Sequence, residues 1–498
     1  MSDSLTLLLQ GFQQALTLPN LVSAVIGCLA GTIVGILPGI GPAATISLMI
    51  PIVFDANPTS SLIMMTAVYL GAMYGGTITS VLLKLPGEAA SVITCIDGFE
   101  MAKQGRAAQA LSVAAIGSFV GGTLSVVALS VVALPVAALA LKIGPAEFFS
   151  LLVAAMLFIS VLLGGDLLRA VASVVLGLAI SAIGTDLQTG VPRLTFGFWT
   201  LQDGIDLVVL VVGIFGVGEV IWFLSRHDGT SGKRLGLSGS LWLSGEDWRR
   251  SWPAITRGSV IGFGAGLLPG AGSLLGSVLS YAAEQRVSKQ PEEFGKGAIE
   301  GVAGPETANN SATGAAMIPM LTLGIPASGA TAVLLVALMM WGLQPGPRLM
   351  IDHPDVVWTV IASLYVSNVV LVILNLPLIP LFVRVLDIPS HFLLPLVLVI
   401  AVVGAYSLSE SPTDVMLVLV FGGLGYLLRL LDIPQVGLLI GLVMGSSMEQ
   451  SLRQAILVSR GDWSVFLTKP ISAGFLALGL AVVLWDAFSK ARKRKALT

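Results

Sequence analysis

Runs of about twenty apolar residues recur along this chain, and they decide what it can fold into. A segment of that length crosses the ~30 Å hydrocarbon core of a bilayer as a helix. Such runs occupy residues 16–37, 60–83, 109–140, 146–163, 167–184 and 206–225. Others cover 254–268, 327–343, 356–385, 392–408, 414–431, 435–447 and 470–488. Charged residues make up 11% of the 498 and the mean hydropathy is +0.92, whereas a soluble domain carries about 25% charge. The expected fold is an all-α polytopic membrane protein with about 12 transmembrane helices. A net charge of −2 leaves no basic footprint for nucleic acid. Cys28 and Cys95 lack disulfide or metal spacing, and His227, His353 and His391 form no ligand cluster. No cofactor or metal is expected, and the N-terminus, without a basic n-region, predicts no cleaved leader.

The chain repeats itself. "GILPGIG" (Gly35–Gly41) returns as "GLLPGAG" (Gly266–Gly272), and "GGTITSVLLKLPGEAAS" (75–91) as "GAAMIPMLTLGIPASGA" (314–330). "GPAEFFSLLVAAM" (144–156) echoes "IPSHFLLPLVLVI" (388–400), and Asp166 with Gly177 echoes Asp414 with Gly425. Four matches in one order, roughly 230 to 250 residues apart, indicate duplication. The expected organisation is a first transmembrane repeat over 1–225 and a central loop over 226–253. A second repeat over 254–488 and a basic tail over 489–498 complete it. Lys and Arg mark cytoplasmic loops. None precedes Lys84, whereas the central loop and the tail "KARKRK" are basic. The N-terminus is therefore expected outside and the loop and tail inside, which gives two inverted-topology repeats. Such repeats are a transporter signature, with the substrate site built from broken helices near the midplane.

Three groups of residues carry the chemistry. Pro38 and Pro269 each follow a long apolar run, and proline ends a helix. Gly39, Gly41, Gly270 and Gly272 then allow backbone angles closed to other residues. The helices are expected to break there and restart in "PAATISLMIP" and "SLLGSVLSYAA". Pro86 and Pro326 mark two further breaks. The second group is polar: Thr77, Thr79 and Ser80 in one repeat, and Asn309, Asn310, Ser311 and Thr313 in the other. Amides and hydroxyls donate to carboxylates, and a restarted helix offers free N–H groups to an anion. Any one hydroxyl here also suits plain interhelical bonding. The third group is ionisable. Glu306, with Thr307, is the candidate for a coupling ion, Na+ or H+. Lys84 either attracts a carboxylate or snorkels to the interface and pairs with Glu88. Asp166 and Asp414 read as helix caps. No P-loop, GxSxG or HExxH occurs, so no enzyme is expected.

At these residues the chain resembles the large permease subunit of the tripartite tricarboxylate transporter (TctA) family. The likeness rests on "GILPGIGPAATISL", "GLLPGAG", "FGKGAIEGVAGPETANNSATGAAMIPMLTLGIPAS" and "LQPGPRLM", and runs from about Leu16 to Trp485. It implies a multi-pass secondary transporter of the bacterial inner membrane. The implied partners are a small integral-membrane subunit and a periplasmic solute-binding protein that delivers a carboxylate such as citrate. The same broken helices also suit an anion channel.

Overall fold

The computed structural model describes residues 2–37, 41–162, 166–186, 189–226, 235–270, 272–385, 395, 398–403, 406 and 411–497. These residues are helical apart from short connections and one two-stranded hairpin, Gly184–Thr185 paired antiparallel with Pro192–Arg193. Among them, seven helices are long and apolar enough to cross a membrane. The chain is therefore an all-α, multi-pass membrane protein.

The first half begins with α1 (Ser2–Ala15), which the hydropathy pattern does not announce, and α2 (Leu18–Gly35). Then come α3 (Pro42–Val53), α4 (Pro58–Leu83), a 3-10 turn (Ala89–Val92) and α5 (Thr94–Lys103). The long α6 (Ala107–Ala140), α7 (Pro145–Leu162) and α8 (Leu167–Ser181) follow. Next is a helix interrupted by a π turn at Val212–Val217, which separates α9 (Leu207–Val211) from α10 (Gly218–Arg226). The second half contains α11 (Gly245–Gly266), α12 (Gly272–Val287), α13 (Glu300–Ala315), α14 (Met317–Leu323) and α15 (Gly329–Met340). It continues with α16 (Leu349–Asp352), α17 (Pro354–Asn375) and α18 (Ile379–Val385). It ends with α19 (Pro412–Leu430), α20 (Gln435–Val458), α21 (Val465–Thr468) and α22 (Pro470–Leu497).

Two boundaries differ from expectation. The central polar segment does not run as loop to residue 253. Ser244 and Asp247 form a capping box that starts α11 at Gly245, so the helix takes in Trp248 to Pro253. The basic tail is not separate either, because α22 continues through it to Leu497.

The packing of α2 on α4 and of α11 on α13 follows one rule. Glycines at every fourth position of α2 (Gly27, Gly31 and Gly35) lie against the carbonyls of Met64, Val68 and Ala72. A Cβ built on any of the three would stand 2.3, 2.3 or 2.4 Å from those oxygens. In the second half Gly258, Gly262 and Gly266 lie against the carbonyls of Gly304, Ala308 and Ala312, at 2.4, 2.2 and 2.3 Å by the same measure. Small residues let the two backbones touch, the usual mode of close helix pairing in membranes. The glycine numbers differ by 231 and the carbonyl numbers by 240 throughout.

The turns that follow are alike too. α4 ends on Lys84 with φ 58°, and α14 ends on Gly324 with φ 69°. Pro86 and Pro326 follow at the same distance. Glu88 (φ −146°) then caps the 3-10 turn with Ser91 as its reciprocal partner, and Ser328 (φ −157°) caps α15 with Thr331. All these pairs lie 240 residues apart, one residue off the register of the quoted match.

Candidate functional site

Four chain segments that begin helices meet around one cavity of about 570 Å³. From the first half come Gly41 to Ala44, opening α3, and Pro86 to Ala90, opening the 3-10 turn. From the second come Gly270 with Gly272 to Leu274, opening α12, and Ser328 to Ala330, opening α15. α3 and α15 have 12 residues each, about 18 Å at 1.5 Å per residue. That is too short to cross a ~30 Å core alone. Their starts touch: a Cβ at Gly329 would lie 3.5 Å from the Ala43 Cβ. In the same crossed fashion α12 packs against the 3-10 turn.

These starts offer unused donors. α3 opens Gly41–Pro42 with no capping side chain. The N–H groups of Ala43 and Ala44 find no acceptor among the described residues. Nor do those of Gly329 and Ala330, because Ser328 takes only the Thr331 N–H, at 3.2 Å. Free first-turn N–H groups and the positive helix end favour an anion. Gly270 adopts φ +115°, a conformation that excludes most side chains, and its N–H bonds the Ala327 carbonyl at 2.9 Å. That bond fastens the second LPG loop to the α15 start.

Four ionisable residues line the cavity: Glu88, Glu219, Arg429 and Tyr69. Glu88 accepts from Ala90 N–H at 2.9 Å. Arg429, in the last turn of α19, pairs with Glu219 of α10 and stacks over the Trp222 ring at 4.8 Å. It is the one basic side chain on the described cavity wall. Tyr69 of α4 meets Ser328 there, with Oη and Oγ 3.2 Å apart.

The residues singled out in the sequence fall into distinct places. Gly41, Gly270 and Gly272 border the cavity, as does Pro86; Pro38 and Gly39 lie outside the described residues. Pro269 sits in the turn between α11 and α12, and Pro326 is buried in the turn before α15. The polar run 304–315 is an unbroken helix, α13, buried on every side. Asn309 stands one hydrogen bond behind the cavity: its Nδ2 donates to Glu88 Oε1 at 3.0 Å. Asn310 Nδ2 donates to Ser118 Oγ at 2.7 Å, and Ser311 Oγ to the Ser259 carbonyl at 2.7 Å. The hydroxyls of Thr307, Thr313 and Ser80 donate to carbonyls four residues back, and that of Thr79 to the one three back. Thr77 is buried on α4. Glu306, 1% exposed, accepts from the Thr94 hydroxyl. Lys84 lies over the Phe99 ring at 5.6 Å, while Glu88 engages Asn309. Asp166 caps α8, accepting from Leu168 N–H at 2.9 Å, and Asp414 lies in the first turn of α19.

Sequence reasoning missed Arg429, Tyr69 and Ser273. Arg429 had a signal: an arginine between leucines inside an apolar run, where an ionisable group normally faces a pathway. Tyr69 and Ser273 had none, since neither residue type is unusual in a membrane helix.

The family profile for tripartite tricarboxylate transporters of the TctA type matches residues 21–440. The chain belongs to the TctA family. This is a family of transporters and not of enzymes, and as tripartite systems they imply a small membrane subunit and a periplasmic binding protein. An Agrobacterium vitis protein, described as an uncharacterized 52.8 kDa protein in the TAR-I ttuC' 3' region, is 46% identical over 497 residues. That alignment covers 99% of this chain and 98% of the relative. A second protein of that organism, from the TAR-II ttuC' 3' region, is 46% identical over 230 residues, covering 46% of this chain and 95% of its own length. No solved structure matches this TctA protein.

Proposed function

We propose that this TctA protein is the permease of a binding-protein-dependent secondary transporter of the bacterial inner membrane, importing carboxylates of the citrate type. A cation or proton gradient drives it. One observation carries the reading: helix starts from both halves converge, with Arg429, on one cavity. Backbone donors and one paired arginine suit a multiply charged carboxylate that must be released again. The backbones at Gly41, Gly270 and Gly272 and the first-turn N–H groups beside them take the substrate. Asn309 holds Glu88 from behind, and Asn310, Ser311, Thr313, Thr77, Thr79 and Ser80 keep α13 and α4 in register.

The halves are inverted repeats of a fold of about 12 spans. The recurrent glycine stripes and the equivalent caps at Lys84 and Gly324, and at Glu88 and Ser328, support the duplication. The basic central loop and tail support the orientation. Alternating access then moves one bundle against the other around the cavity.

The test is uptake of labelled citrate, then of a panel of carboxylates, into proteoliposomes. These hold this chain, its small membrane subunit and the binding protein encoded beside it, with each ion gradient imposed in turn. Accumulation against a gradient, abolished by an ionophore, is expected. Downhill equilibration alone would turn the assignment to an anion channel.

A further inference from the structure

Glu88 and Glu306 belong to opposite halves, and the Asn309 amide stands between them. Asn309 Nδ2 donates to Glu88 Oε1 at 3.0 Å, and Ala90 N–H occupies Glu88 Oε2 at 2.9 Å. Both oxygens of Glu88 are thus acceptors. Glu306 Oε1 accepts from Thr94 Oγ1. Two atoms remain with nothing to bond: Glu306 Oε2 and Asn309 Oδ1. Both residues are 1% exposed, three positions apart on one face of α13. The Asn309 amide and the Thr77 hydroxyl both lie within interaction range of the Glu306 carboxyl.

Two acceptors cannot satisfy each other, and a buried acceptor without a donor is destabilising. Among the described residues no Lys, Arg or His pairs with either carboxyl. The titratable neighbours are Tyr69 and Tyr74 on α4 and Cys95 on α5. Across Gly304 of α13 lies Glu284, already held by Arg257 at 2.5 Å. The face of α6 against Asn310 presents Ser118. None of these supplies a positive charge. One proton on Glu306 Oε2 answers both needs, since it neutralises a buried carboxylate and becomes the donor that Asn309 Oδ1 lacks.

We infer that Glu88, Asn309 and Glu306 form a one-proton relay, in which the Asn309 amide faces according to which carboxyl holds the proton. With the proton on Glu306, Asn309 accepts from Glu306 and donates to ionised Glu88. With the amide turned over, it donates to ionised Glu306 and accepts from protonated Glu88. The exchange breaks one O–H bond at Glu306 and makes one at Glu88, with no change in net charge. Glu88 lines the cavity, so a substrate carboxylate beside it disfavours its ionised form and draws the proton across. That last step rests on the carboxylate reading of the cavity; the relay does not.

The experiment is infrared difference spectroscopy of the full chain in lipid nanodiscs, following the C=O band of protonated carboxyls across a pH series. One buried protonated carboxyl persisting at neutral pH is expected, retained in E88Q and in E306Q, where the proton has only the other carboxyl to occupy, and absent from the variant that carries both substitutions. Adding Na+ at fixed pH leaves the band unchanged. Absence of the band in the wild type, its loss in E88Q or in E306Q, or its loss on adding Na+ would each overturn the relay, the last in favour of a metal-cation site. The spectrum needs no substrate, so its failure leaves the transport reading standing, and failed uptake leaves the relay standing.

Discussion

Gly262→Ala tests how closely the second half is held. The new Cβ would lie 2.2 Å from the Ala308 carbonyl oxygen and 2.5 Å from its Cα, both backbone atoms that no rotamer can move. Ordinary carbon–oxygen contact begins near 3.3 Å. α11 must therefore retreat from α13 by about 1 Å, at a cost of about 1–3 kcal/mol for overpacking. The control sits two residues away. Gly264 is exposed on the same helix and its Cβ would meet nothing within 4 Å, so Gly264→Ala gains about 0.5–1 kcal/mol of helix propensity. Thermal unfolding of the two variants in detergent, followed by tryptophan fluorescence, should move in opposite directions. α13 also carries Asn309, so Gly262→Ala should slow uptake beyond its loss of stability. Equal melting temperatures for the two variants would refute the packing argument.

Other outcomes follow from single contacts. Arg429→Gln should cut carboxylate uptake tenfold or more and leave Glu219 half-buried and unpaired, checked by transport kinetics in proteoliposomes. Asp97→Ala removes a fully buried carboxylate that accepts from the N–H groups of Gly295, Gly297 and Ala298 at 2.8–3.0 Å and from Tyr281 Oη at 2.8 Å. At about 1–3 kcal/mol per stranded donor, loop 295–298 should open to hydrogen exchange. Ser328→Ala should cost about 0.5–2 kcal/mol through the lost cap of α15, read as a lower melting temperature. Glu449 lies beyond the apolar part of α20, where Arg193, at 2.7 Å, holds its carboxyl below the usual range. A lowered folded-state value means stability present above the ordinary carboxylate range and lost as pH falls through it. Acidification should therefore free the 184–193 hairpin to proteolysis before the helices melt.

Much of the fold was written as composition and period. α3 starts at Pro42 and α12 at Gly272, within a residue of the expected restarts, because proline and glycine act locally. The start of α11 was harder, since Ser244 and Asp247 look like loop residues until they cap each other. The polar run at 304–315 illustrates the deeper ambiguity. Small residues serve equally for a ligand and for close backbone contact, and here α13 uses them to admit α11 and α12 on its sides. Its threonines bond their own helix, which linear spacing cannot distinguish from bonding a substrate. Arg429 and Glu88 come together only in three dimensions, 341 positions apart in the chain.

The bond from Gly270 to Ala327 joins the break after α11 to the turn before α15. In the first half Gly87 is wedged against the Gly35 carbonyl and the Gly76 Cα, where any Cβ would fall at 2.4 Å, and that clamps the other pair just as firmly. The cavity wall thus has two jaws, each tied together by its own contact. Each jaw keeps its own donors aimed while the gap between them changes width. On the proposed transport reading, opening to either face of the membrane costs a bound carboxylate its contacts with one jaw at a time, a graded release in place of an abrupt loss.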